Sequence, residues 1–268
     1  MPISGPSEDR LMELSLFSNL EFEVRGFDCG YGGPLSTFAL ANFLQESAGI
    51  NATRLGFGME NLHSRGWTWM LSRMDLRVDE LPREGERIVV RTWPGGTRRL
   101  FAFRDFAVFG ADGRSLVRAI YAYLIVDIAA RRPLRPEGVF GAVPPNPGVP
   151  HPLDEFSFDI PQGLDPRPVF VQGVRGRHID HNGHANNAHI LNWLVDAAPS
   201  SEGAAAGLDS LCALRVEFLA EALSGDELAI TRGRAEGPGF GPDVTGESTV
   251  VELRRGDTRV ARALVGRK

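Results

Sequence analysis

The chain has 268 residues, of which 43% are hydrophobic and 24% are charged, and its formal net charge at pH 7 is −5. This length and composition predict a folded protein of one large or two ordinary domains with a substantial core. The negative charge disfavours nucleic acid as the main partner, because domains that bind nucleic acid are usually basic.

The N-terminal residues and the number of cysteines indicate where the protein is located and which types of protein are excluded. The first twenty residues contain acidic residues and no apolar core, which predicts neither a signal peptide nor a transit peptide. No apolar run approaches the roughly 20 residues that a membrane-spanning helix needs. Cys29 and Cys212 are the only cysteines, too few for a disulfide framework or a zinc-finger array. We therefore expect a cytoplasmic protein that does not insert into a membrane.

The first half of the chain predicts one long helix followed by strands. After Gly33, apolar residues recur at intervals of three and four for four or five turns, as far as Ala48. Alternation with period two at 74–78 predicts a strand. The run at 119–126 is aromatic and β-branched, which suits a buried strand.

A proline-rich segment lies in the middle of the chain. Ten of the 18 prolines fall between Pro133 and Pro168, a composition typical of a linker. We predict an N-terminal domain at 1–140, a proline-rich linker at 141–168 and a C-terminal domain at 169–268.

The second half repeats the first. When the sequence is shifted by 150 residues, Gly33 aligns with Gly183 and the two helical patterns coincide. A shift of 140 residues aligns the strand at 74–78 with that at 214–218. Each copy therefore predicts a strand, a long helix and several antiparallel strands, an α+β unit whose helix covers the apolar face of its sheet.

The polar segment from Asp180 to Asn187, just before the second helix, carries the clearest chemical signal. In an extended chain the alternate residues Asp180, Asn182 and His184 would point to one side. A helix that begins just beyond them, with Asn186 or Asn187 as its N-cap, would aim its free N–H groups at the same place. A carboxylate, an amide, an imidazole and a helix start are the groups that hydrolysis of an acyl group needs.

The first copy lacks every polar group of this segment. Its three equivalent positions are Gly30, Gly32 and Pro34. A polar set that the fold requires would occur in both copies, so its presence in only one copy favours a function.

The pattern Asp-x-Asn-x-His-x-Asn-Asn at 180–187, followed by Trp193, resembles that of the acyl-acyl-carrier-protein thioesterases of plants and bacteria. Further segments that fit the first domain of that family occur in the same order and spacing at 44–48, 66–73, 92–96, 103–106 and 131–133. The element order resembles the hotdog fold, in which an antiparallel sheet wraps around a long helix. The two copies together imply an α+β tandem, or double, hotdog fold.

The resemblance also implies an activity and a set of site residues. The family hydrolyses the thioester of a fatty acyl group on acyl carrier protein, which releases free fatty acid and terminates fatty acid synthesis. Its catalytic acid, amide and imidazole fall on Asp180, Asn182 and His184, and its further carboxylate falls on Glu221. The implied partner is an acyl carrier protein, and no cofactor or metal is implied.

This chain departs from the family next to the glutamate. Plant relatives often have cysteine there, whereas this chain has Ala222, which disfavours a thiol nucleophile and favours direct attack by water. We expect Glu221 and His184 to polarise that water, one of them as the general base. Asn182 would hold the water or the carbonyl, and Asp180 would orient its polar neighbours.

We expect the N-terminal copy to bind the acyl chain, because it lacks the polar groups that precede the helix in the second copy. Residues that flank Phe38 and Trp69 are the candidate lining. Ile190 stands where the family tends to have tyrosine, and Gly183 stands where it tends to have a bulkier residue. Both differences concern the shape of the pocket and hence the preferred chain length.

Three other functions are alternatives. An acyl-coenzyme A thioesterase would use the same groups on a different carrier. Hotdog enoyl-thioester hydratases and dehydratases usually have proline after the asparagine and histidine three residues beyond it, whereas His184 follows Asn182 by two, which favours hydrolysis. A non-enzymatic acyl-binding module is disfavoured by the intact polar set.

The remaining histidines have plainer interpretations. His178, His181 and His184 recur every three residues, a spacing that invites a metal site. An extended chain would not place all three on one face, and no cysteine cluster accompanies them, so we expect no metal. His151 and His189 are expected to be surface residues rather than site residues.

An acidic carrier protein needs a basic surface on its partner. The candidates are Arg98, Arg99, Arg131, Arg132 and Arg135, for all of which a solvated loop is the alternative. Two fused copies already supply the usual hotdog dimer interface, and a homodimer of the whole chain stays open.

Overall fold

The computed structural model describes residues 16–140, 148–154, 156–198, 210–237, 239–240, 244 and 248–268. Its elements follow the predicted repeat. The helices are α1 (Thr37–Arg54), α2 (Met59–His63), α3 (Pro136–Phe140) and α4 (Asn187–Ala197). The strands are β1 (Ser18–Glu23), β2 (Trp67–Val78), β3 (Arg87–Arg98), β4 (Phe101–Gly110), β5 (Ser115–Asp127), β6 (Arg132–Leu134), β7 (Gly163–Gly173), β8 (Leu211–Phe218), β9 (Glu227–Ala235), β10 (Ser248–Arg255) and β11 (Thr258–Arg267).

The strands form one antiparallel sheet that runs through both halves. Its order is β1-β3-β4-β5-β2-β8-β11-β10-β9-β7, with β6 paired to β5. On one side of the centre, β1 to β5 occupy the places that β7 to β11 occupy on the other. At the centre Asp75 of β2 faces Arg215 of β8. The shift of 140 residues superimposes these two positions, so the pseudo-twofold axis of the repeat passes between them.

The two long helices pack together on one face of this sheet. Leu40 and Leu44 of α1 and Leu191 and Leu194 of α4 are fully buried and belong to one core with residues of both halves of the sheet. Burial of each leucine side chain stabilises the fold by about 1.5–3 kcal/mol. The shared core explains why apolar residues occur around much of each helix.

The other face of the sheet is partly covered by the segment that joins the halves. The backbone N–H of Ser157 donates to Asp75 Oδ2 at 3.0 Å, and His151 Nδ1 lies 2.9 Å from Asp105 Oδ2. The prediction that His151 is a surface residue is therefore wrong, because its ring is half-buried against the sheet. Strand β7 begins at Gly163, so the sheet includes the end of the segment predicted as linker.

Candidate functional site

The segment from Asp180 to His184 is a tight turn. The N–H of Asp180 donates to the carbonyl of His184 at 3.0 Å, and the N–H of Gly183 donates to the carbonyl of Asp180 at 3.0 Å. Gly183 has φ of +85°, a left-handed conformation that favours glycine. The prediction that this segment is extended is wrong. A closed turn, rather than strand alternation, brings its polar side chains together.

Within the turn, Asp180 holds the backbone and also faces the imidazole. Its Oδ1 accepts a hydrogen bond from the N–H of Asn182 at 2.8 Å. The same oxygen lies 3.9 Å from His184 Nδ1, which is too long for a direct hydrogen bond but close enough for electrostatic interaction. Asp180 thus caps the turn and lies close enough to His184 to interact with it electrostatically.

Helix α4 begins directly after the turn. Asn186 is the N-cap, and its Oδ1 accepts from the N–H of Ala188 at 2.9 Å. Ser36 caps α1 in the same way through the N–H of Ala39, at 3.1 Å. The predicted asparagine cap is confirmed, and the positive end of the helix dipole lies beside the turn.

Glu221 reaches this region from the end of β8. The carbonyl of its neighbour Ala222 accepts a hydrogen bond from the N–H of Ala185 at 2.8 Å. That bond ties the segment that carries Glu221 to the end of the Asp180–His184 turn. The Glu221 side chain is exposed, while Ala222 is buried.

All four predicted site residues line one cavity of about 1790 Å³. The opposite part of its wall comes from the first half and includes Phe43, Ala48, Trp69 and Leu71. Residues that flank Trp69 were predicted to line the acyl-chain site, and Thr68 and Met70 do line this cavity, as does Trp69 itself. Residues that flank Phe38 were predicted with them, but Thr37 and Ala39 lie outside the lining, and the ring of Phe38 packs 4.5 Å from that of His189.

Arg104 lies in the part of the cavity wall that comes from the first half, and no role was predicted for it. Arg104 donates from Nη1 to Asn51 Oδ1, and Asn51 donates from Nδ2 to the carbonyl of Leu16 at 3.1 Å. Burial lowers the pKa of Arg104 to about 10 and raises the pKa of Tyr123 to about 12. The available signal was the pair of charged residues, Arg104 and Asp105, within an otherwise apolar strand.

The histidine triplet does not converge. His178 is buried, and its Nδ1 accepts from the N–H of Arg175 at 3.1 Å, as Asp28 Oδ2 accepts from Arg25 in the first copy. Its ring lies 5.1 Å from that of Trp193. Within the described ranges no group of three or more histidine, cysteine, aspartate or glutamate side chains is placed to hold a metal ion.

His189 is also half-buried, so the prediction of a surface position for it is wrong. Its ring contacts those of Phe38, His178 and Trp193 at centroid distances of 4.5, 4.9 and 6.0 Å. This aromatic cluster packs where the N-terminal turns of the two helices meet.

The two cysteines are poorly suited to nucleophilic attack. Burial raises the pKa of both Cys29 and Cys212, which disfavours the reactive thiolate. Neither lines the cavity. Together with Ala222, this geometry disfavours a thiol nucleophile.

Of the five arginines predicted to receive a carrier protein, Arg131 lines the cavity and the other four do not. None of the helices in the described residues is both long and apolar enough to cross a membrane.

Two family models match the chain. The acyl-ACP thioesterase N-terminal domain matches residues 16–138, and the acyl-ACP thioesterase C-terminal domain matches residues 171–253. A chloroplastic palmitoyl-acyl carrier protein thioesterase of Arabidopsis thaliana is 27% identical over 203 residues, which cover 71% of this chain and 49% of the relative. A chloroplastic dodecanoyl-[acyl-carrier-protein] hydrolase of Cinnamomum camphora is 27% identical over 192 residues, with coverage of 67% and 50%. The chain spans about half the length of the curated relatives it matches.

Solved structures share the fold along nearly the whole chain. An acyl-ACP thioesterase from Bacteroides thetaiotaomicron superposes with a TM-score of 0.80 at 25% identity, covering 96% of this chain and 99% of that one. The 12:0-ACP thioesterase from Umbellularia californica superposes with a TM-score of 0.73 at 20% identity, covering 98% of each chain. The predicted tandem hotdog fold is thus confirmed, and the chain belongs to the acyl-ACP thioesterase family.

Proposed function

We propose that this protein hydrolyses the thioester of fatty acyl-acyl-carrier protein to free fatty acid and carrier protein, and so terminates fatty acid synthesis. The observation that supports this most directly is the single cavity that contains Asp180, Asn182, His184 and Glu221 at one part and an apolar wall from the first half at another. A polar end suits a reacting thioester, and an apolar end suits an alkyl chain. The family membership supports the same reaction.

The thioester itself needs little activation. Its carbonyl carbon is electrophilic and the departing thiolate is a good leaving group, so attack by a polarised water is sufficient. Glu221 and His184 are the two groups that polarise that water, one as the general base that takes its proton and the other as a polar partner. The water oxygen bonds to the carbonyl carbon, the carbon–sulfur bond breaks, and the proton passes to the departing sulfur.

The remaining groups position the reactants. Asp180 lies 3.9 Å from His184 Nδ1 and fixes the orientation of the ring. Asn182 offers an amide to the water or to the carbonyl oxygen. The N–H of Asn187, at the start of α4 and in the cavity lining, faces charge that develops on that oxygen, because the N–H groups of Ala188 and His189 already donate to Asn186. Such an interaction contributes several kcal/mol in comparable sites.

The first half takes the alkyl chain in this proposal. Its copy of the turn has glycine and proline where the second copy has the reactive groups. The rings of Phe22 and Phe43 stack at 4.5 Å, and both line the cavity, as does Trp69. Duplication has therefore left one half with the chemistry and the other with the apolar surface.

His184→Ala is the direct test. Purified acyl carrier proteins that carry acyl chains of graded length are incubated with the protein, and free fatty acid and free thiol are quantified. We expect the wild type to release both in equal amounts and the variant to lose about 10²–10⁴-fold in kcat, because general acid–base catalysis contributes that much. Hydrolysis by His184→Ala at the wild-type rate would overturn the assignment.

Glu221→Gln tests the second proton acceptor, with Glu227→Gln as its matched control. Glu227 is exposed at the start of β9 and lies outside the cavity lining. We expect only Glu221→Gln to lower kcat, with thermal unfolding unchanged in both variants.

Two further substrates separate the alternative functions. Acyl-coenzyme A in place of acyl-carrier protein measures the preference for the carrier. With a crotonyl thioester, water addition without thiol release would show a hydratase and contradict the proposed hydrolysis.

A further inference from the structure

The mouth of the cavity has an apolar rim. Four large hydrophobic residues there are between 41% and 51% exposed although they also line the cavity, namely Met70, Ile128, Leu219 and Leu223. Leu219 and Leu223 flank Glu221 in the chain, whereas Met70 and Ile128 lie on the first-half side. The rim therefore connects the catalytic end of the cavity with the end of strand β5.

Four arginines line this cavity, and three have a partner. Arg25 pairs with Asp28 at 2.8 Å and Arg255 pairs with Asp226 at 2.7 Å. Arg104 lies deep in the wall and donates to Asn51.

The fourth, Arg131, is exposed at the mouth. Its guanidinium has no hydrogen bond or ion pair with any residue in the described part of the chain. Among the described residues, Arg131 is thus the lining arginine that is available for an anionic ligand.

Arg131 also occupies an unfavourable backbone conformation. It lies in the turn between β5 and β6, which Asp127 closes by accepting from the N–H of Ala130 at 2.7 Å. The φ of Arg131 is +50°, in the left-handed region where glycine is the favoured residue.

The sheet order separates Arg131 from the catalytic groups, as the arm that carries the substrate separates its phosphate from its thioester. From β8, which leads to Glu221, the sheet passes through β2 and β5 to β6, beside Arg131. Three strand spacings amount to about 14 Å. A 4′-phosphopantetheine arm has its thioester at one end, apolar methyl and methylene groups along its length and a phosphate at the other end.

We propose that Arg131 binds the phosphate of the phosphopantetheine arm while the apolar rim contacts the arm between that phosphate and the thioester. This inference rests on the proposed function, because it places the carrier of the same thioester. It makes Arg131 a substrate-binding residue with no part in the chemical step.

Paired substrates with and without the phosphate test the proposal. One acyl group is supplied as the thioester of 4′-phosphopantetheine and as that of pantetheine, and kcat and KM are measured for the wild type and Arg131→Gly. We expect KM for the phosphorylated substrate to rise about tenfold in the variant, the usual effect of losing a hydrogen bond to a charged group. The kcat values and the KM for acyl-pantetheine should stay unchanged.

Arg99→Gly is the matched control. Arg99 is also an exposed arginine in a turn, with φ of +60°, and it lies outside the cavity lining. Both substitutions relieve the same backbone conformation and remove one positive charge. An equal rise in KM for Arg99→Gly would overturn the proposal, as would an equal loss with acyl-pantetheine in Arg131→Gly.

A binding measurement separates this inference from the proposed function. Titration of the wild type and Arg131→Gly with free 4′-phosphopantetheine and with pantetheine needs no hydrolysis. Preference for the phosphorylated compound in the wild type alone would support the phosphate site even if no thioester were hydrolysed. If acyl-phosphopantetheine and acyl-pantetheine were hydrolysed with the same KM, the activity would stand and the phosphate site would be wrong. Acyl-coenzyme A and acyl-carrier protein, both of which contain the phosphate, then show which carrier the protein prefers.

Discussion

At the scale of single residues, the two copies of the chain separate structural from chemical roles. His178 and Asp28 occupy equivalent positions, and each accepts a hydrogen bond from the backbone N–H three residues earlier. His178 is therefore explained by the fold. His184 has no such counterpart, because Pro34 stands at its position in the first copy. A histidine present in only one copy, beside a carboxylate and a cavity, is better explained by function.

A buried carboxyl group on the other face of the sheet makes stability depend on pH. Burial raises the pKa of Asp105 to about 6, although the contact with His151 opposes that shift. In the unfolded chain an aspartate titrates near 4. Between these values the folded protein retains a proton that the unfolded chain releases, so the free energy of unfolding falls as the pH rises from about 4 to about 6.

Asp105→Asn isolates this contribution. A shift of about two pKa units corresponds to about 3 kcal/mol. We therefore expect the free energy of unfolding of the wild type to fall by about 3 kcal/mol more than that of the variant when the pH rises from 4 to 7. Urea unfolding at both pH values measures this difference. A difference between the two proteins that is the same at both pH values would contradict the prediction.

At the scale of elements, the turn before α4 decides where the site is built. The sequence predicted the helix, its asparagine cap and the residues of the site. It did not predict the backbone path, because alternation of side chains is a property of extended chain and Gly183 ends the extended chain here. The left-handed conformation of one glycine closes the turn that holds Asp180 near His184.

Gly183→Ala tests that turn. A Cβ at this position would meet open space, so any effect comes from the backbone conformation alone. We expect a loss of about 1 kcal/mol in the free energy of unfolding, together with lower activity. Gly176→Ala is the matched control, since its Cβ would also meet open space and its φ is not positive. An equal loss in both variants would show that the left-handed conformation does not matter.

At the scale of the whole molecule, one buried charge cluster joins the two halves. The carboxylate of Asp75 is fully buried, and its Oδ2 accepts from Arg215 Nε at 3.1 Å across the central pair of strands. Arg77 contacts the other oxygen, and the N–H of Ser157 donates to Oδ2 at 3.0 Å. One carboxylate thus holds β2, β8 and the connecting segment together.

Asp75→Ala should therefore be strongly destabilising. Removal of the carboxylate leaves two buried guanidinium groups unpaired, which costs about 3–5 kcal/mol. Asp79→Ala removes a half-exposed carboxylate that pairs with Arg118, and we expect a loss of about 1 kcal/mol or less there. Urea unfolding of both variants measures the difference. A small effect of Asp75→Ala would show that the central cluster does not hold the halves together.

The sequence by itself determined the repeat, the order of the elements and the chemical asymmetry of the two copies. These are properties of residue spacing along the chain, and the equivalence of Asp75 with Arg215 at the pseudo-twofold axis follows from the same shift. The domain boundaries, the cytoplasmic location and a homodimer stay predictions.

Only the tertiary structure decided how the site is assembled. The Ala185–Ala222 hydrogen bond brings Glu221 to the turn, and the sheet order places Arg131 at the cavity mouth. Each contact joins residues that are far apart in the chain, and local periodicity carries no information about such pairing. Strand order and the packing of α1 against the sheet set these distances, and so they set the size and position of the cavity.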